Sequence, residues 1–465
     1  MPFRQRTLFG KKVLVVGLGR SGVAAARLCA AQGAHVTVTD KQTEEALSAA
    51  LAQLPPAVKQ ELGGHRAETF LESEIIVLSP GVPPLPEVEA ARGRNITITG
   101  ELELASWFVD APIVAITGTN GKSTTTTLCG AILAANGRPT FVGGNLGTPF
   151  AEAVGTKAAE AGGVCVLEVS SFQLETVESF RPQIAVVLNV TPDHLDRHPT
   201  LEAYAAAKAR IFAAQTPADF AVLNIDDPVV EAMSKKTRSH CVFISTRRSL
   251  SLGGWIEGDA LCVRLMGGPV EYYPSHLPSL TGRHNMENAL AALVAGRLAG
   301  ALPLEARHAL LAFRALPHRM EFVGESEGVL FYDDSKGTNV GAVVAALDRF
   351  PRPVVLIAGG RDKRGSYEPL AQIMKKTGRG AVLIGEAAPR MRDALAPVVP
   401  VELAASMEDA VIQAATMARR GDAVVLSPAC ASFDMFRNYE HRADVFRAAV
   451  KALIAQRAVE PEPTK

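Results

Sequence analysis

Lys122 and Ser123 follow Gly118, Thr119, Asn120 and Gly121 and precede a run of threonines, in the stretch AITGTNGKSTTTT over 115–127. An apolar segment, 113–116, leads into it. A strand that gives way to a glycine-rich turn and then to a helix points backbone N–H groups at a polyanion, so the pattern predicts a nucleotide-phosphate site. Within it Lys122 supplies a point charge for the β/γ-phosphates of ATP, and the Ser123 or Thr124 hydroxyl supplies an oxygen for Mg²⁺. The loop is shorter than the general phosphate-loop pattern: Ile116 stands where that pattern has its first glycine, and Gly118 comes two residues later.

A second glycine cluster, Gly17-Leu18-Gly19-Arg20-Ser21-Gly22, leaves a β-branched segment at 13–16 and opens an alanine-rich helix; a further strand over 35–39 ends at Asp40. Glycines that admit a pyrophosphate to a helix start, with an acid that reaches a ribose hydroxyl, form the dinucleotide-binding fingerprint. Taken alone that says NAD. The unit ends near residue 106, however, with room for about one mononucleotide-binding half. A UDP-sugar satisfies the same backbone chemistry, and the turn Ser79-Pro80-Gly81 after the strand 75–78 could touch the same ligand.

Carboxylates and amides cluster further on. Glu168 sits near the end of a buried strand, 164–169, where an acid is costly unless it holds a metal or a partner, and Ser170 follows it. Asn145 lies in the turn Gly143-Gly144-Asn145-Leu146-Gly147, and His194 in the ligand-rich loop TPDHLDRH over 191–198. Asn285 and Asn288 share a helix face and could grip an adenine edge, although capping is the simpler reading of the spacing. In the last third, strand ends deliver Asp334, Lys336 and Thr338, then Lys363, then Ser432 and Phe433, with Arg319 just upstream. Arg319, Lys336 and Lys363 bring positive charge to anions. Lys208, on an alanine-rich helix, reads by itself as an ordinary solvated lysine.

The elements that must position these groups alternate between strand and helix along the whole chain, which predicts mostly parallel sheets with the site at their carboxyl edges. At 465 residues the chain is too long for one core. We expect three α/β domains: 1–106, Rossmann-like; 107–315, central, P-loop ATPase-like and ATP-binding; and 316–465, Rossmann-like, of which the family resemblance given below implies that the first binds the UDP-sugar and the third the amino acid. Lys plus Arg and Asp plus Glu are both 48, so no global field favours nucleic acid or an anionic membrane. No apolar run approaches a membrane span, and no leader-like apolar segment follows the N-terminus. The six cysteines are scattered without ligand spacing and read as buried thiols of a reducing compartment. The expected setting is cytoplasmic, the expected state a monomer, and the tail over 459–465 is expected to be loose.

The set TGTNGKST, GGNLGTP, LEVSSFQLE, NVTPDHLDRH, GRHNMENALAA, LPHRME, YDDSKGTN, GGRDK and SPACASFDMFRNYE spans all three units in order and closely resembles the Mur ligases of peptidoglycan synthesis, in particular their D-glutamate-adding members. The resemblance implies that ATP phosphorylates the carboxylate of UDP-N-acetylmuramoyl-L-alanine and that the amine of D-glutamate attacks the acyl phosphate. It implies phosphate and Mg²⁺ roles for Lys122 and Ser123, metal-ligand roles for Glu168 and His194, and adenine contacts for Asn285 and Asn288. Arg319 would reach the phosphates and Asp334 the nucleoside. Lys336, Thr338, Lys363, Ser432 and Phe433 would form the D-glutamate pocket; Arg20, Ser21, Asp40, Ser79, Gly81 and Asn145 would bind the UDP-sugar. The lysine matching Lys208 is carbamylated in that family, which makes it a further metal ligand. Ala443 stands where relatives often carry glycine. A nicotinamide-dependent dehydrogenase, a non-catalytic nucleotide-binding regulator and a folate-polyglutamate ligase are the rival readings.

Overall fold

The computed structural model describes residues 7–459 apart from 196, 278, 281, 315, 349 and 364. Asp196 of the 191–198 loop, the expected boundary residue 315 and all but the first residue of the expected loose tail lie outside the described residues.

Runs of β-branched residues become strands buried on both faces, as parallel sheets require. β1 (Lys12–Val16), β2 (His35–Asp40), β3 (Lys59–Leu62), β4 (Ile75–Leu78) and β5 (Thr97–Gly100) form a parallel sheet in the order β3-β2-β1-β4-β5. Strand order reverses between β1 and β4, which opens a crevice at their carboxyl ends, beside the Gly17–Gly22 turn and Ser79.

β6 (Ile113–Thr117), β7 (Thr140–Gly144), β8 (Val164–Glu168), β9 (Ile184–Val187), β10 (Phe220–Asn224), β11 (His240–Ser245), β12 (Gly253–Glu257), β13 (Ala260–Arg264) and β14 (Glu271–Pro274) form a second sheet, ordered β14-β13-β12-β11-β10-β9-β6-β8-β7. Here the chain departs from β6 to one side and returns to the other, so the switch point falls on the phosphate loop. Helices Lys122–Ala135 and Arg283–Leu298 share one core, with Leu128, Ile132, Leu133, Leu290, Leu293 and Val294 all fully buried. Truncating Leu133 to alanine there costs roughly 2–5 kcal/mol.

β15 (Glu321–Ser326), β16 (Val329–Asp333), β17 (Val354–Gly359), β18 (Gly378–Ile384), β19 (Val401–Leu403) and β20 (Ala423–Leu426) make the third sheet, ordered β15-β16-β20-β17-β18-β19. Residues 1–190 and 202–313 group into one compact unit, and residues 191–201 with 314–465 into another; the expected central domain had included 191–201.

Several expectations need amendment. The antiparallel β12-β13-β14 meander and the edge strands β3, β7, β15 and β19 are not among the strands expected from the sequence; each is only three to six residues long, too short for a clear period. The closing helix starts at Tyr439 rather than 442, and Ala443 lies fully buried inside it, where alanine is a better helix former than glycine. Cys241 is half-buried, whereas the other five thiols are buried.

Candidate active site

Register places the chemistry of the first compact unit. Ile116 of β6 pairs with Glu168 of β8, which sets the carboxylate beside the start of the phosphate loop. Glu168 is 4% exposed, and its two oxygens are divided: Ser123 Oγ donates to Oε2 at 2.6 Å and Asn145 Nδ2 donates to Oε1 at 2.7 Å. A hydroxyl and a carboxylate this close at a phosphate loop are the hard oxygen donors that Mg²⁺ takes, so the residues fit that ion. Ser170 caps the short helix Ser171–Leu174 in a reciprocal arrangement with Gln173, next to this group.

The loop itself is braced from below. Thr119 N–H donates to the Asn189 carbonyl and Asn120 N–H to Asn189 Oδ1, at 2.9 and 2.8 Å, while Asn189 Nδ2 donates back to the Asn120 carbonyl. Gly121 has φ +87, and a Cβ there would meet Asn288 Oδ1 at 2.1 Å. Asn288 also accepts from Thr125 Oγ1 and donates to Asn285 Oδ1. The helix cap is Gly282, so neither asparagine is the cap residue itself; Asn288 is a buried backing for the loop. Lys122 Nζ curls over the carbonyls of Gly118 and Thr119, and Thr124 is buried in the first turn of the following helix, whose first N–H groups have no partner within the helix.

Lys208 overturns the solvated-lysine reading. It is 1% exposed, donates to the Gly118 carbonyl at 2.9 Å and lies 4.4 Å above the Tyr204 ring. The alanines around it let the helix pack tightly and carry the lysine inside.

In the first sheet Asp40 Oδ2 accepts from Leu18 N–H at 2.7 Å, and Ser79 Oγ donates to the Gly17 carbonyl at 2.8 Å. Both thus shape the glycine turn. Gly22 permits its closure, since a Cβ there would stand 1.9 Å from the Gly17 oxygen. Arg20 reaches the Gly147 carbonyl at 3.5 Å; Ser21 is half-buried and Gly81 exposed.

The second compact unit gathers the remaining residues. Asp193 is buried and receives Lys363 Nζ at 2.9 Å and Asn339 Nδ2 at 3.1 Å; its neighbour His194 has φ +54 and is about one-third exposed. Lys363 is therefore held by a carboxylate. Asp334 is buried, accepts from Ser427 Oγ at 2.6 Å, and burial pushes it up to about 6. Arg319 Nε is buried and has no hydrogen-bond partner among the described residues. Beside it His318, Glu321 and Asp333 converge at metal-like spacing, but the Arg447 guanidinium bonds Asp333 and Glu321, so the cluster is already neutralised. Lys336 Nζ lies 5.4 Å over the Tyr439 ring, Thr338 is half-buried, Ser432 is buried and Phe433 is 66% exposed. Arg442, fully buried, donates to Ser335 and to the Cys430 carbonyl and so ties together the loops that carry Lys336 and Ser432. Sequence reasoning did not single out Asn189, Arg442 or Arg447; for Asn189 the signal was an amide directly after a core strand.

Comparison with known proteins adds to this geometry. The MurD-like N-terminal domain of Mur ligases matches residues 11–100, the Mur ligase middle domain residues 116–296, and the Mur ligase glutamate ligase domain residues 318–430. A UDP-N-acetylmuramoylalanine--D-glutamate ligase of Geotalea uraniireducens (strain Rf4) is 48% identical over 448 residues, 96% of this chain and 98% of that protein. Among solved structures, a pseudomurein peptide ligase type C from Methanothermus fervidus shares the fold with a TM-score of 0.60 at 19% identity, over 96% of this chain and all of that one. MurF ligase from Thermotoga maritima, in complex with ADP, gives 0.59 at 17% identity over 97% of each chain.

Proposed function

This chain belongs to the Mur ligase family, and on that premise we propose how its residues divide the work of an ATP-dependent ligase that adds D-glutamate to UDP-N-acetylmuramoyl-L-alanine in peptidoglycan synthesis. The γ-phosphoryl group of ATP passes to the alanine carboxylate and ADP leaves; the D-glutamate amine then attacks the acyl carbon, phosphate departs and the amine loses a proton. Such chemistry needs positioning and charge neutralisation more than covalent participation by the protein.

Residues 1–106 bind the UDP-sugar, with the glycine turn shaped by Asp40 and Ser79 and with Arg20, Ser21, Gly81 and Asn145 at its rim. Residues 107–315 bind ATP: Gly118 to Thr124 cradle the phosphates, Lys122 swings from its own loop carbonyls onto them, and Asn285 and Asn288 back the adenine side. Ser123, Glu168 and a carbamylated Lys208 would hold Mg²⁺, with His194 as the further ligand that the family resemblance implies; the ion would supply charge neutralisation for the transferring phosphoryl group. Residues 316–465 supply Arg319 for the phosphates, Asp334 for the nucleoside, and Lys336, Thr338, Lys363, Ser432 and Phe433 for D-glutamate, while Ser170 orders the loop next to Glu168. The enzyme works as a cytoplasmic monomer on small molecules; no described helix is long and apolar enough to cross a membrane.

The observation that carries this reading is the Ser123–Glu168 contact at 2.6 Å, with Asn145 on the second carboxylate oxygen, at the end of the phosphate loop. A non-catalytic regulator has no need of that group. Phosphate release from ATP is expected only when UDP-N-acetylmuramoyl-L-alanine and D-glutamate are both present, and equal turnover with L-glutamate, L-alanine or meso-diaminopimelate would overturn the assignment.

A further inference from the structure

Two acids open the short helix Glu101–Ser106, and both are buried, at 2% and 1% exposure. Acids at a helix start usually face water, where the dipole favours them. Glu103 turns to one loop of the ATP-binding domain and accepts from the backbone N–H groups of Glu178, Ser179 and Phe180, the Ser179 hydroxyl and the Trp107 indole. So many donors satisfy it fully and hold its carboxyl below the ordinary range. Glu101 is different. Its Oε1 accepts from Ala151 N–H at 2.5 Å, in the 3₁₀ segment Phe150–Ala153, while Oε2 is buried with no partner among the described residues.

That 3₁₀ segment directly follows the turn that carries Asn145. The Gly144 N–H closes the turn onto the Thr148 carbonyl at 2.8 Å, and Asn145 reaches Glu168 twice, by its backbone N–H to the carbonyl and by its amide to Oε1. A path of contacts therefore runs from Glu101 to Ala151, along the backbone of 148–151, across the Gly144–Thr148 hydrogen bond to Asn145 and on to the Glu168 carboxylate. The first helix adds two weaker ties to the same stretch, Arg20 to the Gly147 carbonyl and Arg27 to Glu152 at 3.0 Å. A hydrophobic side chain would fill the Glu101 site without desolvating a carboxylate, so plain packing does not account for an acid there.

We propose that Glu101 is a positioning residue for the ligase reaction: it fixes the turn bearing Asn145 so that the UDP-sugar-binding sheet and the Glu168 carboxylate keep one register. The inference rests on the metal-holding role assigned to Glu168. The charged group that faces Glu101 is Glu152 from the 3₁₀ segment, itself paired with Arg27 of the first helix; Glu103, on the same helix, points to the 178–180 loop instead. Burial, reinforced by Glu152, pushes Glu101 up to about 7, against the Ala151 N–H donor that favours its ionised form. The folded site therefore holds this proton more tightly than the unfolded chain does.

The test compares full-length wild type, Glu101→Gln, Glu101→Asp and Glu168→Gln. For Glu101→Gln, the half-saturating Mg²⁺ concentration and the KM for UDP-N-acetylmuramoyl-L-alanine are expected to rise together by about tenfold, the magnitude typical of residues that orient a metal ligand. Hydrogen exchange measured without any ligand should speed up in peptides covering 143–153 and stay unchanged in those covering 113–135. Glu101→Asp, which keeps the charge on a shorter stem, should shift the same constants less, and it serves if the glutamine variant does not fold. A lower melting temperature with unmoved Mg²⁺ and KM values and unmoved exchange overturns the inference. If Glu168→Gln raises the Mg²⁺ requirement and neither Glu101 variant does, the inference alone falls; if Glu168→Gln leaves it unmoved, the metal assignment beneath it falls as well.

Discussion

Lys122 and Lys208 converge on one acceptor: the Gly118 carbonyl oxygen lies 3.0 Å from the first ammonium nitrogen and 2.9 Å from the second. Two protonated amines held this close repel each other, and in a buried site the repulsion is poorly screened. The arrangement is relieved when Lys122 turns outward to phosphate and when Lys208 loses its positive charge. Each half of that statement can be tested separately.

Lys122→Ala is expected to lower kcat by about 100- to 1000-fold, the loss usual for removing one charge-stabilising donor. UDP-sugar binding should remain nearly intact, because most of the residues proposed for it lie around the Gly17–Gly22 turn of the first sheet, away from the phosphate loop. Calorimetric titration of the variant with UDP-N-acetylmuramoyl-L-alanine decides the matter; a large loss of affinity would contradict the division into domains.

Lys208→Ala should be nearly inactive, and short carboxylates such as formate or acetate should partly restore it by supplying the oxygen that a carbamate provides. Near wild-type turnover of the alanine variant in CO₂-depleted buffer would end the carbamate proposal. Burial of Lys208 removes the alternative of a solvated surface lysine.

At Gly121 an alanine side chain would meet Asn288 Oδ1 at 2.1 Å on a backbone with φ +87. Gly121→Ala is expected to weaken ATP binding severely. Adding Asn288→Ala removes the clash but leaves the left-handed backbone strain of about 1–2 kcal/mol, so the double variant should recover only part of the affinity. Equal ATP affinities for Gly121→Ala and the native chain would show that the loop is not backed as described.

Stability should carry a titration from Asp334. Its folded value, about 6, is raised from 3.8 by burial, so the native state holds the proton more tightly than the unfolded chain. The sign follows: this stabilisation is fully present below the unfolded value and is lost as pH rises through about 6, amounting to about 2 kcal/mol between pH 4.5 and 7.5. Urea unfolding at those two pH values should show a smaller difference for Asp334→Asn than for the native chain, and an identical difference would count against a raised Asp334.

Legibility in the sequence followed the physics of each signal. The Gly17–Gly22 turn with Asp40, and the need of Glu168 for a metal or a polar partner, were readable because packing alone seldom produces that glycine spacing or a lone acid in an apolar strand. The burial of Lys208 was not, since alanines on both sides of a helix mark no inner face. Glu101 and Glu103 were hidden for a related reason: an acid at a helix start is what solvent exposure would also produce. The β12-β13-β14 meander escaped because its strands are short, and Asn189 because its task is to brace backbone rather than to touch a ligand.

The junction at Glu103 has an optical consequence. The chain contains two tryptophans, and one of them, Trp107, donates its indole N–H to Glu103 at 2.9 Å, while Trp255 is buried in β12. Indole emission shifts with the polarity and hydrogen bonding around the ring, so a Trp255→Phe chain would carry a single emitter seated on the carboxylate that clamps residues 178–180. Its colour would report in real time whether the UDP-sugar sheet and the phosphate-loop sheet stay joined while substrates arrive and depart.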